Sequence, residues 1–196
     1  MTLAERLRAA LAVDGRAPAS VGDYAELATR GDHLMASAAV LVAITDRVEP
    51  GVILTQRTDT MRTHAGQVAF PGGRMEPGED AVAAALREAE EEIGLPPAAV
   101  ELIGSVDRYR TGTGFDVTPV VGVIPPDLPL VPAEMEVASV FEVPLAFVLD
   151  AGNHHRGSGW WNGAERHFIE IPWEGWRIWG ATAAMIVNLS RRLRWA

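Results

Sequence analysis

The sequence predicts an α+β domain, a mixed β-sheet held between helices. Two observations lead there. Apolar runs of strand length and amphipathic helical stretches are interspersed without strict βαβ alternation. No internal repeat or linker-like composition splits the chain of 196 residues, a length that suits one core of moderate size.

The elements follow in order. Thr2 to Val13 reads as a short amphipathic helix with Leu3, Leu7, Ala10 and Leu11 on one stripe. A loop with Asp14, Gly15 and Pro18 follows. Ala36 to Thr45 is a continuous apolar run, read as a buried strand, and Val52 to Arg57 is a second. Asp46, Glu49, Pro50 and Gly51 make the turn between them. After the polar stretch Thr58 to Gln67 come Val68 to Phe70 and a turn, Pro71-Gly72-Gly73. Asp80 to Ile93 is rich in Ala and Glu and reads as a helix, stopped by Gly94 and the prolines Pro96 and Pro97. Leu102 to Tyr109, Val117 to Ile124, Val137 to Val143 and His167 to Ile171 read as strands. Ala181 to Leu193 reads as a closing helix. The expected division is 1–35 as an N-terminal helix and extension, and 36–196 as the domain proper.

Composition narrows the function classes. Hydrophobic residues make up 48% and charged residues 22%, the balance of an ordinary globular chain. The net charge of -9 argues against broad nucleic-acid binding, which relies on Lys and Arg to displace counterions. A small phosphorylated ligand needs only a local arginine cluster. The absence of cysteine excludes disulfides, thiolate metal sites and cysteine nucleophiles. No stretch approaches the roughly 20 apolar residues of a membrane span, and no signal segment is seen. The expected location is cytoplasmic, with no membrane partner.

The chemistry concentrates between Gly73 and Leu95. On the helix, Glu88 and Glu92 are four residues apart and share a face, with Glu91 close by. Hard oxygen ligands clustered in this way suit Mg²⁺ or Mn²⁺, and magnesium commonly shares phosphate oxygens. Ala81, Ala85, Ala89 and Ile93 form the other side, small enough for close packing on a sheet. A glutamate-rich helix alone is more often a solvated face. The spacing is what changes that reading: Gly73, five residues, Glu79, seven residues, Arg87-Glu88-Ala89-Glu90-Glu91-Glu92-Ile93-Gly94-Leu95.

This pattern resembles the signature of the Nudix hydrolase family. Every fixed position is filled, and Ala89 stands where an aliphatic residue is usual. The resemblance implies the Nudix fold, a mixed β-sheet sandwiched between helices (an α/β/α sandwich). It also implies hydrolysis of a nucleoside diphosphate linked to another moiety. Carried over residue by residue, Glu88, Glu91 and Glu92 become the metal ligands, and Glu79 and Arg87 a structural ion pair that orients the helix.

The residues upstream are similar to the motif of the coenzyme A pyrophosphatase branch: Leu54-Thr55-Gln56-Arg57-Thr58, then Arg62, Gly66 and Phe70-Pro71-Gly72-Gly73. Thr58 stands where that motif has Ser and keeps the hydroxyl. The resemblance runs from about Ala36 to the C-terminus and weakens downstream. It implies cleavage of coenzyme A or its derivatives to 3′,5′-ADP and 4′-phosphopantetheine or its acyl form. Arg57, Arg62, Arg108, Gly72 and Gly73 are then the expected substrate contacts, because arginine forks match phosphate oxygens. Glu91, Glu88 and Glu136 are the catalytic candidates: Glu91 or a carboxylate from outside the helix takes the proton of the attacking water, and Glu134, Glu136 or Glu142, Glu136 first, adds a ligand or base from another strand. His64 is a weaker candidate base, and His154 and His155 lack a metal-ligand spacing. The late tryptophans, Trp160 to Trp179, are read as core or homodimer contacts ahead of an adenine platform. Two rival readings stand: a Nudix hydrolase of another substrate such as ADP-ribose, and a non-catalytic ligand-binding regulator of the same fold.

Overall fold

The structure is a computed structural model that describes residues 1–12, 35–59, 66–161 and 163–193. Helix α1 (Leu3–Ala12) opens with a capping box. The Glu5 N–H donates to Thr2 Oγ1 at 3.1 Å, and the Thr2 N–H donates back to Glu5 Oε2 at 2.8 Å. Leu3, Ala4 and Leu7 turn inward and are buried.

Strands β1 (Ala36–Thr45) and β2 (Gly51–Arg57) form the expected antiparallel pair. β1 sits at the centre of an eight-stranded mixed sheet and runs parallel to β7 (Phe115–Ile124). Its side chains alternate between two cores. Ala38, Val42 and Ile44 join the core beneath α1 and α4 (Gly180–Leu193), while Ala39, Leu41 and Ala43 join the core beneath α2 (Ala81–Ile93). Burial on both faces explains why β1 is apolar throughout rather than alternating.

The remaining strands extend this frame. β3 (Val68–Ala69) and β8 (Val137–Pro144) flank β2, and β5 (Glu101–Ser105) and β6 (Tyr109–Arg110) pair with β7. The single strand expected over Leu102 to Tyr109 is therefore two, with the register shifting between Leu102 and Gly104. Gly72 and Gly73, expected in a turn, belong to a short strand, β4 (Gly72–Arg74), antiparallel to β1. A Cβ on Gly72 would collide with the Ala39 carbonyl oxygen and Val40 Cα, so only glycine allows this approach.

A three-stranded antiparallel sheet follows: β9 (His155–Trp161), β10 (Ala164–Trp173) and β11 (Trp176–Trp179). Of these strands, the sequence predicts only the middle of β10, His167 to Ile171. Aromatic contacts join this sheet to the rest. Phe141 of β8 stacks on Trp176 at 4.2 Å, and Phe147 of α3 (Leu145–Leu149) meets Trp173 at 4.5 Å. Helix α4 closes the layer with Ala183, Ile186, Leu189 and Leu193 buried. The result is the expected mixed sheet between helices. None of the described helices is long and apolar enough to cross a membrane.

Candidate active site

Helix α2 is fixed at both ends. Asp80 caps its start, its Oδ1 accepting the Ala83 N–H at 2.8 Å. Gly94 ends it at φ 65°, a left-handed conformation suited to glycine. Ala84, Ala85, Ala89 and Ile93 are fully buried against the sheet. The small alanines bring the helix close to β1 and β4, which sets the height of its glutamates above the glycine strand.

Two of those glutamates meet that strand. Glu92 is 5% exposed, and its Oε2 accepts the Gly72 N–H at 3.0 Å. Glu88 lies against Gly73, where a Cβ would overlap the Glu88 carboxylate. Phe70-Pro71-Gly72-Gly73 thus has a physical reason in the site: one glycine amide binds a carboxylate and the next makes room for another. The N–H to Glu92 was not foreseen from sequence.

Burial is the leading cause of raised pKa values at both residues. It pushes Glu92 up to about 7. The Gly72 N–H and Arg57 pull the other way, while the charges of Glu88 and Glu136 push further up. Glu88 is also raised, by burial first; Arg87 opposes this, and Glu91 and Glu136 reinforce it. A buried and a part-buried acid that repel one another are a donor set suited to a hard divalent cation.

Glu136 reaches the same neighbourhood through main-chain bonds. The Ala133 N–H donates to the Glu92 carbonyl at 2.8 Å, the Glu136 N–H to the Ala133 carbonyl at 2.9 Å, and the Thr58 N–H to the Glu136 carbonyl at 3.0 Å. The turn carrying Glu136 is therefore tied both to α2 and to the end of β2. Sequence spacing contained no sign of this link.

Arg57 stands at the same end of β2, where the β2–β8 register shifts between Gln56 and Arg57. Its Nη1 is 3.8 Å from Glu92 Oε1. Arg87 takes a different position. It grips Glu79 through two bonds, Nε to Oε1 at 3.0 Å and Nη2 to Oε2 at 3.1 Å. It also donates to Glu88 Oε1 at 2.9 Å, Glu91 Oε2 at 3.1 Å and the Arg74 carbonyl at 3.1 Å. That bonding holds Glu79 below its ordinary pKa, with the Glu76 N–H as second cause, and raises Arg87.

Glu88, Glu92, Glu136, Arg57, Gly72 and Gly73 are thus brought together. Glu91 has a side chain 60% exposed and turned to Arg87. Among the described residues, no three His, Asp or Glu side chains converge on a single metal-sized point. Arg108 pairs with Asp116 at 3.4 Å on β7, beside Arg110. Glu142 lies at the opposite end of the β2–β8 ribbon, bonded to Thr45 and Arg47. His154 Nε2 makes a local bond of 2.7 Å to the Val148 carbonyl. Arg62 and His64 lie outside the described residues.

A mixed sheet carrying a glycine strand beneath a glutamate helix is the arrangement expected of a Nudix domain, and comparison with known proteins agrees. The NUDIX domain family model matches residues 35–158. The chain belongs to the Nudix hydrolase family. It is 49% identical over 158 residues to a protein of Escherichia coli (strain K12 / DH10B) described as "Uncharacterized Nudix hydrolase NudL", covering 80% of this chain and 82% of that one. Among solved structures, it resembles the Nudix hydrolase RenU from M. smegmatis (TM-score 0.50, 24% identity, 59% of this chain and 81% of that one). It also resembles a MutT/nudix family protein from Enterococcus faecalis (TM-score 0.51, 15% identity, 97% of this chain and 73% of that one). The two structural likenesses are of fold alone. Family and site together define a hydrolase of nucleoside diphosphate derivatives.

Proposed function

We propose that this protein hydrolyses the diphosphate of coenzyme A or its derivatives, using Mg²⁺ or Mn²⁺, to give 3′,5′-ADP and 4′-phosphopantetheine or its acyl form. The observation that carries the reading is the joining of the two sequence motifs in one place. The upstream motif supplies Arg57, Gly72 and Gly73, and the signature supplies Glu88 and Glu92 directly against them.

In this reading Glu88 and Glu92 hold the metal, with Glu91 joining by rotation away from Arg87. The divalent ion, when bound, acidifies water and offsets charge developing on the diphosphate. The chain's own residues do the rest. The Gly72 N–H fixes the orientation of the Glu92 carboxylate. The Glu79–Arg87 pair holds the loop before α2 to the helix and so fixes where Gly73 meets Glu88. Arg57, with Arg62 and Arg108 as further candidates, contacts phosphate oxygens. Water attacks one phosphorus, the bond to the bridging oxygen breaks, and a carboxylate takes the proton. Glu136 suits that last role, because it is exposed while its charge is felt by both Glu88 and Glu92.

The test is turnover of a panel of diphosphates, with products identified by mass spectrometry in ¹⁸O-water. Coenzyme A should yield the two products above, with the label on one of them. Activity on ADP-ribose with none on coenzyme A would sink the substrate assignment. Ligand binding without turnover of any diphosphate would instead favour a non-catalytic module.

A further inference from the structure

Arg57 and Glu92 form an incomplete pair. Glu92 is almost fully buried, and one of its oxygens, Oε2, is taken by the Gly72 N–H. Among the described residues, Oε1 accepts no hydrogen bond, and its nearest positive charge is Arg57 Nη1 at 3.8 Å. That distance is too long for a hydrogen bond and short enough for a strong charge contact. Arg57 is incomplete from its own side as well: its Nε is buried without a hydrogen-bond partner among the described residues. The backbone beneath it is firmly held, by Arg57 N–H to the Gln67 carbonyl at 3.0 Å and by the neighbouring Thr58 N–H to Glu136.

An arginine that locks a carboxylate engages it with two short bonds, as Arg87 does with Glu79. Among the described residues, Arg57 instead supplies charge without a side-chain hydrogen bond to Glu92, from a firmly held backbone. We propose that Arg57 is the resident counter-cation of Glu92, displaced from Oε1 when a divalent ion binds and thereby released to the diphosphate of the substrate. Ion and guanidinium compete for the same oxygen. The substrate therefore meets a free Arg57 only in the metal-loaded protein, and metal precedes substrate. This inference rests on the metal role proposed for Glu92.

The competition gives two effects of opposite sign. In Arg57→Gln and Arg57→Met the side-chain stem is kept and the charge is lost. Without substrate, Mn²⁺ titrated calorimetrically into the full chain should bind at least about fivefold more tightly than to wild type, the water-like lower limit for removing one unit charge near 4 Å, since burial strengthens the contact. At saturating Mn²⁺, KM for the diphosphate that the panel identifies should rise about tenfold or more. A merely structural role for Arg57 would weaken both. Arg57→Lys keeps the charge and should leave Mn²⁺ affinity close to wild type.

The wild-type protein supplies a test that needs no folded charge-loss variant. With ¹⁵N-labelled arginine, the Arg57 Nε–H resonance should shift on saturation with Mg²⁺, Arg57→Lys serving only to assign it. Unchanged or weaker Mn²⁺ binding in both charge-loss variants, or an Arg57 resonance unmoved by saturating Mg²⁺, overturns the proposal. Absence of any Mn²⁺ binding to wild type overturns the metal reading and this inference with it. Failure of the coenzyme A assignment alone touches neither metal experiment.

Discussion

Two glutamate–arginine pairs stand at opposite ends of the β2–β8 ribbon, and they are built differently. At the Gly51 end, Arg47 holds Glu142 through Nε at 3.0 Å and Nη2 at 3.0 Å, and Asp127 at 2.9 Å. Thr45 donates to Glu142 as well. At the Arg57 end, Glu92 has one main-chain bond and a 3.8 Å charge contact, with a buried Arg57 Nε unpaired. The first pair is partly open to solvent and saturated; the second is buried and unsaturated. Burial makes unmet charge expensive, so an unsaturated buried carboxylate persists only where something else completes it. On the proposed function, the same two residue types make a fastening at one end of the ribbon and a binding site at the other.

The difference is sharpest in activity. Glu92→Gln keeps an oxygen for the Gly72 N–H and removes the charge that the proposed metal would need. We expect kcat to fall about a thousandfold or more, the scale of losing a central electrostatic group. Glu88→Gln should behave similarly. Gly73→Ala should approach the same loss without altering any carboxylate, because its Cβ would displace Glu88. Glu136→Gln should cost less, about 10- to 100-fold in kcat, if it takes the proton. Wild-type turnover in Glu92→Gln at saturating metal would erase the functional half of the comparison.

How much of this was legible in the sequence differs between the two ends. The unsaturated site was readable because its parts follow local rules. Glutamates four apart share a helix face, Gly94 ends the helix, and the glycine pair precedes it at fixed spacing. What binds them was not readable. The Gly72 N–H reaches Glu92 only because Gly72 to Arg74 pairs with β1, a long-range contact in residues that looked like a turn. The link from Glu136 to Thr58 likewise depends on β8 pairing with β2. The saturated pair was less legible still. Glu142 looked like a spare ligand or base, and nothing local tells which end of a strand will face Arg47. β9 was missed because its glycines read as loop, although Gly157 lies directly under the Phe168 ring, where a side chain would collide.

Stability should respond to pH at the unsaturated site. The folded-state pKa of Glu92 lies above its ordinary 4.5, at about 7. The folded protein therefore binds a proton more tightly than the unfolded chain, and this group's contribution to stability falls as pH rises between about 4.5 and 7. The full shift, which already includes the opposing pull of Arg57, corresponds to about 3 kcal/mol at most, reduced in practice by water. Metal-free Glu92→Gln should then match wild type near pH 4.5 and melt higher at about pH 8, by a few degrees. Saturating Mg²⁺ should narrow the gap by stabilising wild type alone. A Glu92→Gln protein less stable than wild type at about pH 8, measured by thermal melts without metal, would show that burial does not strain this carboxylate.

The saturated pair should give the smallest effect, and one of different kind. Glu142→Gln removes a charge that Arg47 engages at two atoms, yet Arg47 keeps Asp127 and the site remains open to water. Partly exposed ion pairs contribute modestly, so the melting midpoint should drop by about 2–4 °C. The drop should shrink in high salt, since solvent ions screen the pair. kcat and KM should stay at wild-type values, because the pair lies at the far end of the ribbon from Glu92 and Arg57. Mn²⁺ affinity should be unchanged for the same reason. Loss of turnover in a well-folded Glu142→Gln protein would mean that the two ends of the ribbon are coupled, and that the saturated pair positions the site as well as fastening the fold.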